Sequence, residues 1–187
     1  MTATLRPSRS PRAVAAARPR AIVDVLVCGS SDRGDDGAPT AAARLFDATL
    51  PDDVRVRLIG QLDVDHLLSI PEGAGVVIVD AATGVASGSI HELPLHGGLS
   101  PSVAIRPRSS HALEVPEVIG VADMIRGRPI IGSIIVIGGR RFGLGRPLSA
   151  SVAKALPGLA RAVLAATDRI RAALIPEDAA APLGRGA

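Results

Sequence analysis

Residues 22–37 read IVDVLVCGSSDRGDDG, an apolar run rich in valine followed at once by a loop of acids and glycines. Such a short apolar run is typical of a buried strand in a sheet that is covered on both faces. Asp24 interrupts the run, so it needs a hydrogen-bond partner or an exposed position. The stretch therefore predicts a strand that leads through a tight loop into a helix.

Further segments repeat this strand pattern. Two are apolar throughout, which favours central strands, and one alternates apolar residues with arginines, which favours an edge strand. A fourth is a weaker candidate. The predicted strands are Ile22–Val27, Val54–Ile59, Val76–Val79, Ser89–Leu95 and Ile134–Ile137.

Helical patterns lie between these strands. Segments Ala38–Leu50, Val64–Ile70 and Ala112–Ile125 are candidates, and Pro116 interrupts the third. Strands that alternate with helices indicate an α/β fold, a three-layer α/β/α sandwich around a mostly parallel sheet. The last helix has the clearest period, and Pro157 fits it as the first turn of a new segment. Its apolar positions are Leu156, Leu159, Val163, Ala166, Ile170 and Leu174.

The composition limits the domain organisation. A chain of 187 residues suits one globular domain, and with no Trp or Tyr its core must consist of aliphatic residues. Residues 1–20 contain five arginines and no acid, although the whole chain carries only +3. We expect a disordered Arg-rich extension at 1–20, a folded domain at 21–175 and a flexible tail at 176–187. A solvated extension is favoured over one that binds nucleic acid or lipid.

Several protein classes are excluded by the sequence. Cys28 is the single cysteine, so an internal disulfide and a cysteine-rich zinc or iron–sulfur site are impossible. Cys28 is expected to pack as a small apolar residue. No segment has the roughly 20 apolar residues of a membrane span, and no signal peptide is recognisable. These features predict a cytoplasmic protein that does not bind a membrane.

Three places could carry chemistry, because ligands of α/β sheets gather at the carboxyl ends of strands. The first is the loop with Asp35 and Asp36, and the second is Asp80, directly after Val76–Val79. The third is His111, in a Ser-Ser-His sequence before a predicted helix. Two carboxylates and one imidazole form a set suited to a divalent transition metal.

Each of these residues also has a purely structural interpretation. Asp35 or Asp36 could cap the following helix, Asp80 could form a turn, and His111 could be a hydrogen-bonded structural histidine. The sequence from His91 to His96 looks like a zinc-protease helix. Its histidines are five apart with Pro94 between them, so the required i, i+4 geometry fails.

These places, in this order, resemble the hydrogenase maturation protease family. Gly29–Gly37 corresponds to the family's first signature, Val76–Ala81 to its strand ending in Asp-Ala, and Ser109–His111 to its histidine motif. Ile134–Leu156 corresponds to a glycine-rich segment that leads into the last helix. Order and spacing agree from about residue 22 to 172. Ser30 replaces the usual Asn, and Pro39 stands where a small residue is common.

The resemblance implies a twisted sheet of about five strands and an endopeptidase activity. Such an enzyme removes a C-terminal peptide from the nickel-loaded large-subunit precursor of a nickel–iron hydrogenase. Asp36, Asp80 and His111 are implied to engage nickel that the precursor supplies, so no tightly held cofactor is expected. The partner is the hydrogenase large-subunit precursor, and nucleic acid is not expected.

Two other functions stay open. One is a non-catalytic nickel-checkpoint or chaperone-like binding protein on the same scaffold. The other is an α/β enzyme for a phosphorylated or nucleotide ligand that uses the loop Gly29–Gly37. That loop has Ser31 where a dinucleotide-binding loop has its second glycine, and no Lys-Ser/Thr of a P-loop follows.

Overall fold

A single mixed sheet forms the centre of the molecule, in a computed structural model that describes residues 22–96, 106–107 and 115–174. The strand order is β2-β1-β3-β6-β4, and β5 pairs with the end of β3. The strands are β1 Val23–Cys28, β2 Val54–Gly60, β3 Gly75–Thr83, β4 Ile90–Pro94, β5 Arg106–Pro107 and β6 Gly132–Gly138.

Helices connect most of these strands. The described helices are α1 Ala38–Phe46, α2 Val64–Leu68, α3 Val115–Arg126 and α4 Ala150–Leu174. Two short 3₁₀ helices flank α1, at Gly34–Gly37 and at Asp47–Thr49.

Most neighbouring strands are parallel. β1 pairs in parallel with both β2 and β3, and β3 pairs in parallel with β6, whereas β4 runs antiparallel to β6. β2 lies at an edge, as its alternation with arginines predicts. Because β1 and β3 are adjacent and parallel, their carboxyl ends meet at one edge of the sheet.

The sheet separates two hydrophobic cores. Successive side chains of a strand point to opposite faces, so Val25 and Val27 of β1 face α1 and α4, whereas Leu26 faces α2 and α3. β3 divides in the same way, with Val77 on the first face and Ile78 on the second. The predicted three-layer α/β/α sandwich with a mostly parallel sheet is therefore confirmed.

All five predicted strands are present, and β5 is an additional short one. Cys28 is buried in the core beside α2 and α3, as predicted. The predicted extension at 1–20 and tail at 176–187 lie outside the described residues. No helix in the described part of the chain is long and apolar enough to cross a membrane.

The prediction that Pro157 starts a new helical segment is wrong, because α4 continues unbroken through it. A proline inside a helix removes one backbone hydrogen bond and costs about 3 kcal/mol. Val152 before it and Leu159 after it are both fully buried in the same core. Burial on both sides of the proline thus keeps the two halves in one helix.

Asp24 is fully buried in β1, and its carboxylate forms the ion pair that such burial requires. The strand register places it opposite Arg55 of β2, whose Nε and Nη2 atoms donate to its two carboxylate oxygens at 2.8 and 2.5 Å. Arg57 Nη1 lies 3.6 Å from Oδ2. The hydrogen bond to Asp24 raises the pKa of Arg55. This pair attaches the edge strand to the centre of the sheet.

We expect Arg55→Ala to lower the free energy of unfolding by about 1–3 kcal/mol, because a buried carboxylate loses its bidentate partner. This decrease in the free energy of unfolding should be smaller than for a fully buried ion pair, because the Arg55 side chain is 46% exposed. Urea denaturation measures the change. Arg44→Ala, at an exposed position of α1, is the matched control and should change stability by less than about 0.5 kcal/mol. Equal effects of the two substitutions would contradict this role.

Pro157→Ala should stabilise the protein by about 1–3 kcal/mol, because alanine restores the N–H that the carbonyl of Ala153 lacks. Thermal and urea unfolding measure the gain. Lys154→Ala, at another exposed position of α4, serves as the control and should have little effect. Destabilisation by Pro157→Ala would show that the proline is required for the path of α4.

Candidate functional site

The loop after β1 and the end of β3 lie at the same edge of the sheet. The β1–β3 register pairs Val27 with Val79, so Cys28 and Asp80 follow at the same level. The 3₁₀ helix Gly34–Gly37, which carries Asp36, contacts β3. The fold therefore brings the elements that carry Asp36 and Asp80 together.

Two glycines make the loop after β1 possible. Gly29 has a φ of +93°, and a Cβ added to it would lie 2.0 Å from the carbonyl oxygen of Asp36. Gly34 has a φ of +64°, and its added Cβ would lie 2.3 Å from the carbonyl oxygen of Arg141. A side chain at either position is excluded by both backbone conformation and space. The glycine spacing of the first motif thus has a steric cause.

Asp36 is half-buried, and its carboxylate faces back across the loop. Oδ2 accepts a hydrogen bond from the backbone N–H of Ser30 at 2.9 Å. The interpretation of Asp35 or Asp36 as a helix cap is wrong, because the residue that precedes α1 is Gly37 and no side chain caps that helix. The motif's two acids therefore have other roles.

Asp35 is fully buried and bonds to the loop between β6 and α4. Its Oδ2 accepts from the backbone N–H groups of Arg140 at 2.9 Å and Arg141 at 3.0 Å. Ser149 donates its N–H to Oδ1 at 2.6 Å and its hydroxyl to Oδ2 at 3.1 Å. Burial raises the pKa of Asp35, but these donors outweigh that effect, so the pKa lies below its ordinary value.

Backbone contacts reinforce this attachment. The N–H of Asp35 donates to the carbonyl of Arg141 at 2.6 Å, and the N–H of Gly145 donates to the carbonyl of Asp32 at 2.7 Å. Arg33 and Arg146 form an isolated parallel bridge. The loop 29–37 and the loop 139–149 are thus one structural unit. The sequence gives no local signal for this partnership, although Ser149, directly before α4, stands within the glycine-rich segment Ile134–Leu156.

Asp80 lies inside β3, so the prediction that it ends a strand is wrong, and it does not form a turn. The strand continues to Thr83 because β6 pairs with it as far as Ala82 and β5 pairs with its last two residues. Asp80 is fully buried, and its Oδ1 accepts from the N–H of Ala81 at 2.8 Å. Alternation along the strand places it on the same face as Ile78, where α2 and α3 pack.

His111 lies outside the described residues, between β5 and α3 in the chain. Within the described ranges, no three His, Cys, Asp or Glu residues form a group that could hold a metal ion. His91 lies in β4 and His96 just beyond it, where His96 contacts Ile130 and Asp123. The pair does not share a helix, so the exclusion of a zinc-protease motif is confirmed.

The loop 29–37 is poorly suited to hold a phosphate. Such a site needs free backbone N–H groups, but those of Gly29, Ser30 and Asp35 donate to Gly60, Asp36 and Arg141. The N–H groups of Arg33 and Asp36 also bond within the loop. This geometry disfavours the nucleotide-binding alternative.

Asp35→Asn should lower the free energy of unfolding by about 1.5–3 kcal/mol at neutral pH, because an amide cannot accept from donors on both sides. Since the folded-state pKa of Asp35 is lowered, its stabilisation is complete above the unfolded pKa of about 3.9. It disappears as pH falls through the folded-state value. Urea denaturation from pH 7 down to pH 3 should show the difference from wild type shrinking. Asp168→Asn on α4 is the control, and a pH-independent difference would contradict the mechanism.

No protein-family model and no curated protein matches this chain. Solved structures do match. The nickel–iron hydrogenase maturation protease HybD from Thermococcus kodakarensis aligns with a TM-score of 0.58 and 21% identity over 76% of this chain and 97% of its own. HybD from E. coli, a hydrogenase maturating endopeptidase, aligns with a TM-score of 0.59 and 19% identity over 79% of this chain and 92% of its own. A hydrogenase 3 maturation protease aligns with a TM-score of 0.61 and 19% identity over 79% of this chain and 91% of its own. This chain therefore has the fold of the hydrogenase maturation proteases.

Proposed function

We propose that this protein is an endopeptidase that removes a C-terminal peptide from the nickel-loaded large-subunit precursor of a nickel–iron hydrogenase. The observation that carries the proposal is the arrangement of Asp36 and Asp80. They occur in the order of the family motifs, in a chain with that fold, and on elements that meet at the carboxyl edge of the sheet.

Asp36 is the acid best placed to meet a partner. Its neighbour Asp35 is buried and has donors at both oxygens, whereas Asp36 is half-buried and has one described donor, at Oδ2. We assign Asp36, Asp80 and His111 as contacts to the precursor's nickel. Two carboxylates and an imidazole suit a divalent transition metal. The site is then completed only by a substrate that carries the ion.

Nickel in this account belongs to the substrate. A metal that the protease does not hold for itself lets it distinguish loaded from empty precursor before the peptide bond is cut. In the bound complex, the ion can polarise the scissile carbonyl or activate water. Asp36, which is half-buried, positions the loaded precursor at the edge of the sheet through its carboxylate.

A non-catalytic nickel checkpoint on the same scaffold is the second candidate. It is favoured by the departures from the family pattern at Ser30 and Pro39, of which Ser30 lies beside Asp36. The Ser30 hydroxyl donates to Oδ1 of Asp32 at 2.5 Å, so this side chain orients another acid of the loop, whereas the backbone N–H that Asp36 accepts would be supplied by any residue except proline. A checkpoint protein would bind the loaded precursor without cleaving it, whereas the enzyme would cleave it.

The test is intact-mass analysis of a nickel-loaded large-subunit precursor incubated with the protein. We expect loss of a defined C-terminal peptide with wild type and at least about a hundredfold slower loss with Asp36→Asn. The asparagine oxygen still accepts from Ser30, so the loop keeps its shape while the charge is removed. Nickel-free precursor should remain whole.

Asp168→Asn, which changes the same charge at an exposed position of α4, is the matched control and should cleave at the wild-type rate. Cleavage by Asp36→Asn at that rate would contradict the site assignment. A precursor that binds to wild type but is never cut would establish the checkpoint instead.

A further inference from the structure

Four exposed arginines lie on the two loops that Asp35 connects. Arg33 belongs to the loop after β1, and Arg140, Arg141 and Arg146 belong to the loop before α4. The bridge between Arg33 and Arg146 and the bond from Asp35 N–H to Arg141 carbonyl bring their backbones side by side. We refer to these four residues as the arginine rim.

The arginines of the rim have no acidic partner within the part of the chain that the structure describes. The arginines that form ion pairs there lie elsewhere, such as Arg55 with Asp24 and Arg171 with Asp53. Asp35, between the two loops, is saturated by N–H and hydroxyl donors rather than by guanidinium groups. The rim therefore presents positive charge that the described fold does not neutralise.

The acids near the rim do not cancel this charge. Oδ1 of Asp32 accepts from the Ser30 hydroxyl at 2.5 Å, and Oδ2 of Asp36 accepts from the Ser30 N–H at 2.9 Å. Both acids are thus turned toward Ser30. Four guanidinium groups stand against these two carboxylates, which leaves a positive surface beside the proposed site.

The backbone that carries the rim is held firmly. Asp35 receives the N–H groups of Arg140 and Arg141, and the Gly145–Asp32 bond closes the far end of the loop. Because the backbone is fixed before binding, less conformational entropy is lost when a partner binds the arginine side chains. This rigidity is what a recognition surface requires.

An apolar side chain stands within the rim. Leu144, between Arg141 and Arg146 in the chain, is 73% exposed. A partner with only anionic groups would leave the Leu144 side chain exposed to water, whereas a peptide that combines acids with an apolar residue would cover it. Guanidinium groups bind carboxylates through paired, charge-assisted hydrogen bonds.

We infer that the arginine rim docks an acidic peptide segment with at least one apolar residue, which belongs to the protein substrate. The inference depends on the proposed function only for the identity of that substrate. Peptide is favoured over nucleic acid because the chain has no Trp or Tyr to stack on bases, and Phe142, in the loop of the rim, packs against the core beside α1 and α4. Asp32 and Asp36 beside the rim would also repel a continuous phosphate backbone.

The test is fluorescence anisotropy with a labelled synthetic peptide that alternates Glu with Leu and Ser. The comparison peptide has Gln in place of every Glu. Wild type should bind the acidic peptide more tightly, and rising NaCl should weaken that binding. The variant Arg33→Gln/Arg146→Gln should lose about 2- to 30-fold in affinity and part of the salt dependence.

Arg44→Gln/Arg161→Gln is the matched control, because it removes the same charge from exposed positions of α1 and α4. It should bind the peptide as wild type does, and both variants should melt like wild type. Equal losses in both variants, or equal binding of the two peptides, would overturn the inference. Displacement of the peptide by an oligothymidylate strand that binds more tightly would also overturn it.

The same variants separate this inference from the proposed function. If Arg33→Gln/Arg146→Gln processes nickel-loaded precursor at the wild-type rate at subsaturating concentration, the rim does not dock the substrate while the protease assignment stands. If wild type binds the acidic peptide through the rim but leaves the precursor whole, docking stands and the protease assignment fails.

Discussion

The site depends on one buried carboxylate. Asp35 accepts four hydrogen bonds from the segment between β6 and α4, and through them it attaches the loop after β1 to a second loop more than 100 residues away. The donors outweigh the cost of burial, which is why its pKa is lowered rather than raised. Without this attachment, only backbone contacts, such as those from Gly29 N–H to Gly60 and from Gly145 N–H to Asp32, would hold the 3₁₀ helix that carries Asp36 against the rest of the edge.

Adjacent acids in the motif therefore have different physical roles. Asp35 points inward and its hydrogen-bonding capacity is used by the protein, whereas Asp36 lies half-buried beside Gly29 and Ser30. Asp35 holds the loop in place, and it thereby also fixes the orientation of Asp36 beside it. The same attachment gives the arginine rim a rigid base. Structure, proposed chemistry and proposed docking thus depend on one set of hydrogen bonds.

Much of the fold could be predicted from local sequence. Runs such as Val76–Val79 identify buried strands because their apolar, β-branched residues suit a sheet covered on both faces. The prediction for Pro157 is wrong because local propensity disfavours a proline inside a helix, whereas burial of α4 on both sides of it overrides that preference. The prediction that Asp80 ends a strand is wrong because pairing with β5 and β6 extends β3 beyond it. The partner of Asp35 could not be predicted, since it depends on a contact across the sheet edge rather than on neighbours in the chain.

We propose that this protein adds ligands to nickel held by its substrate. Nickel-edge X-ray absorption of the nickel-loaded precursor, alone and in its purified complex with this protein, tests that claim most directly. We expect additional oxygen and nitrogen ligands on nickel in the complex, with fewer in a complex formed by Asp36→Asn. An unchanged nickel coordination shell in a stable wild-type complex would contradict it.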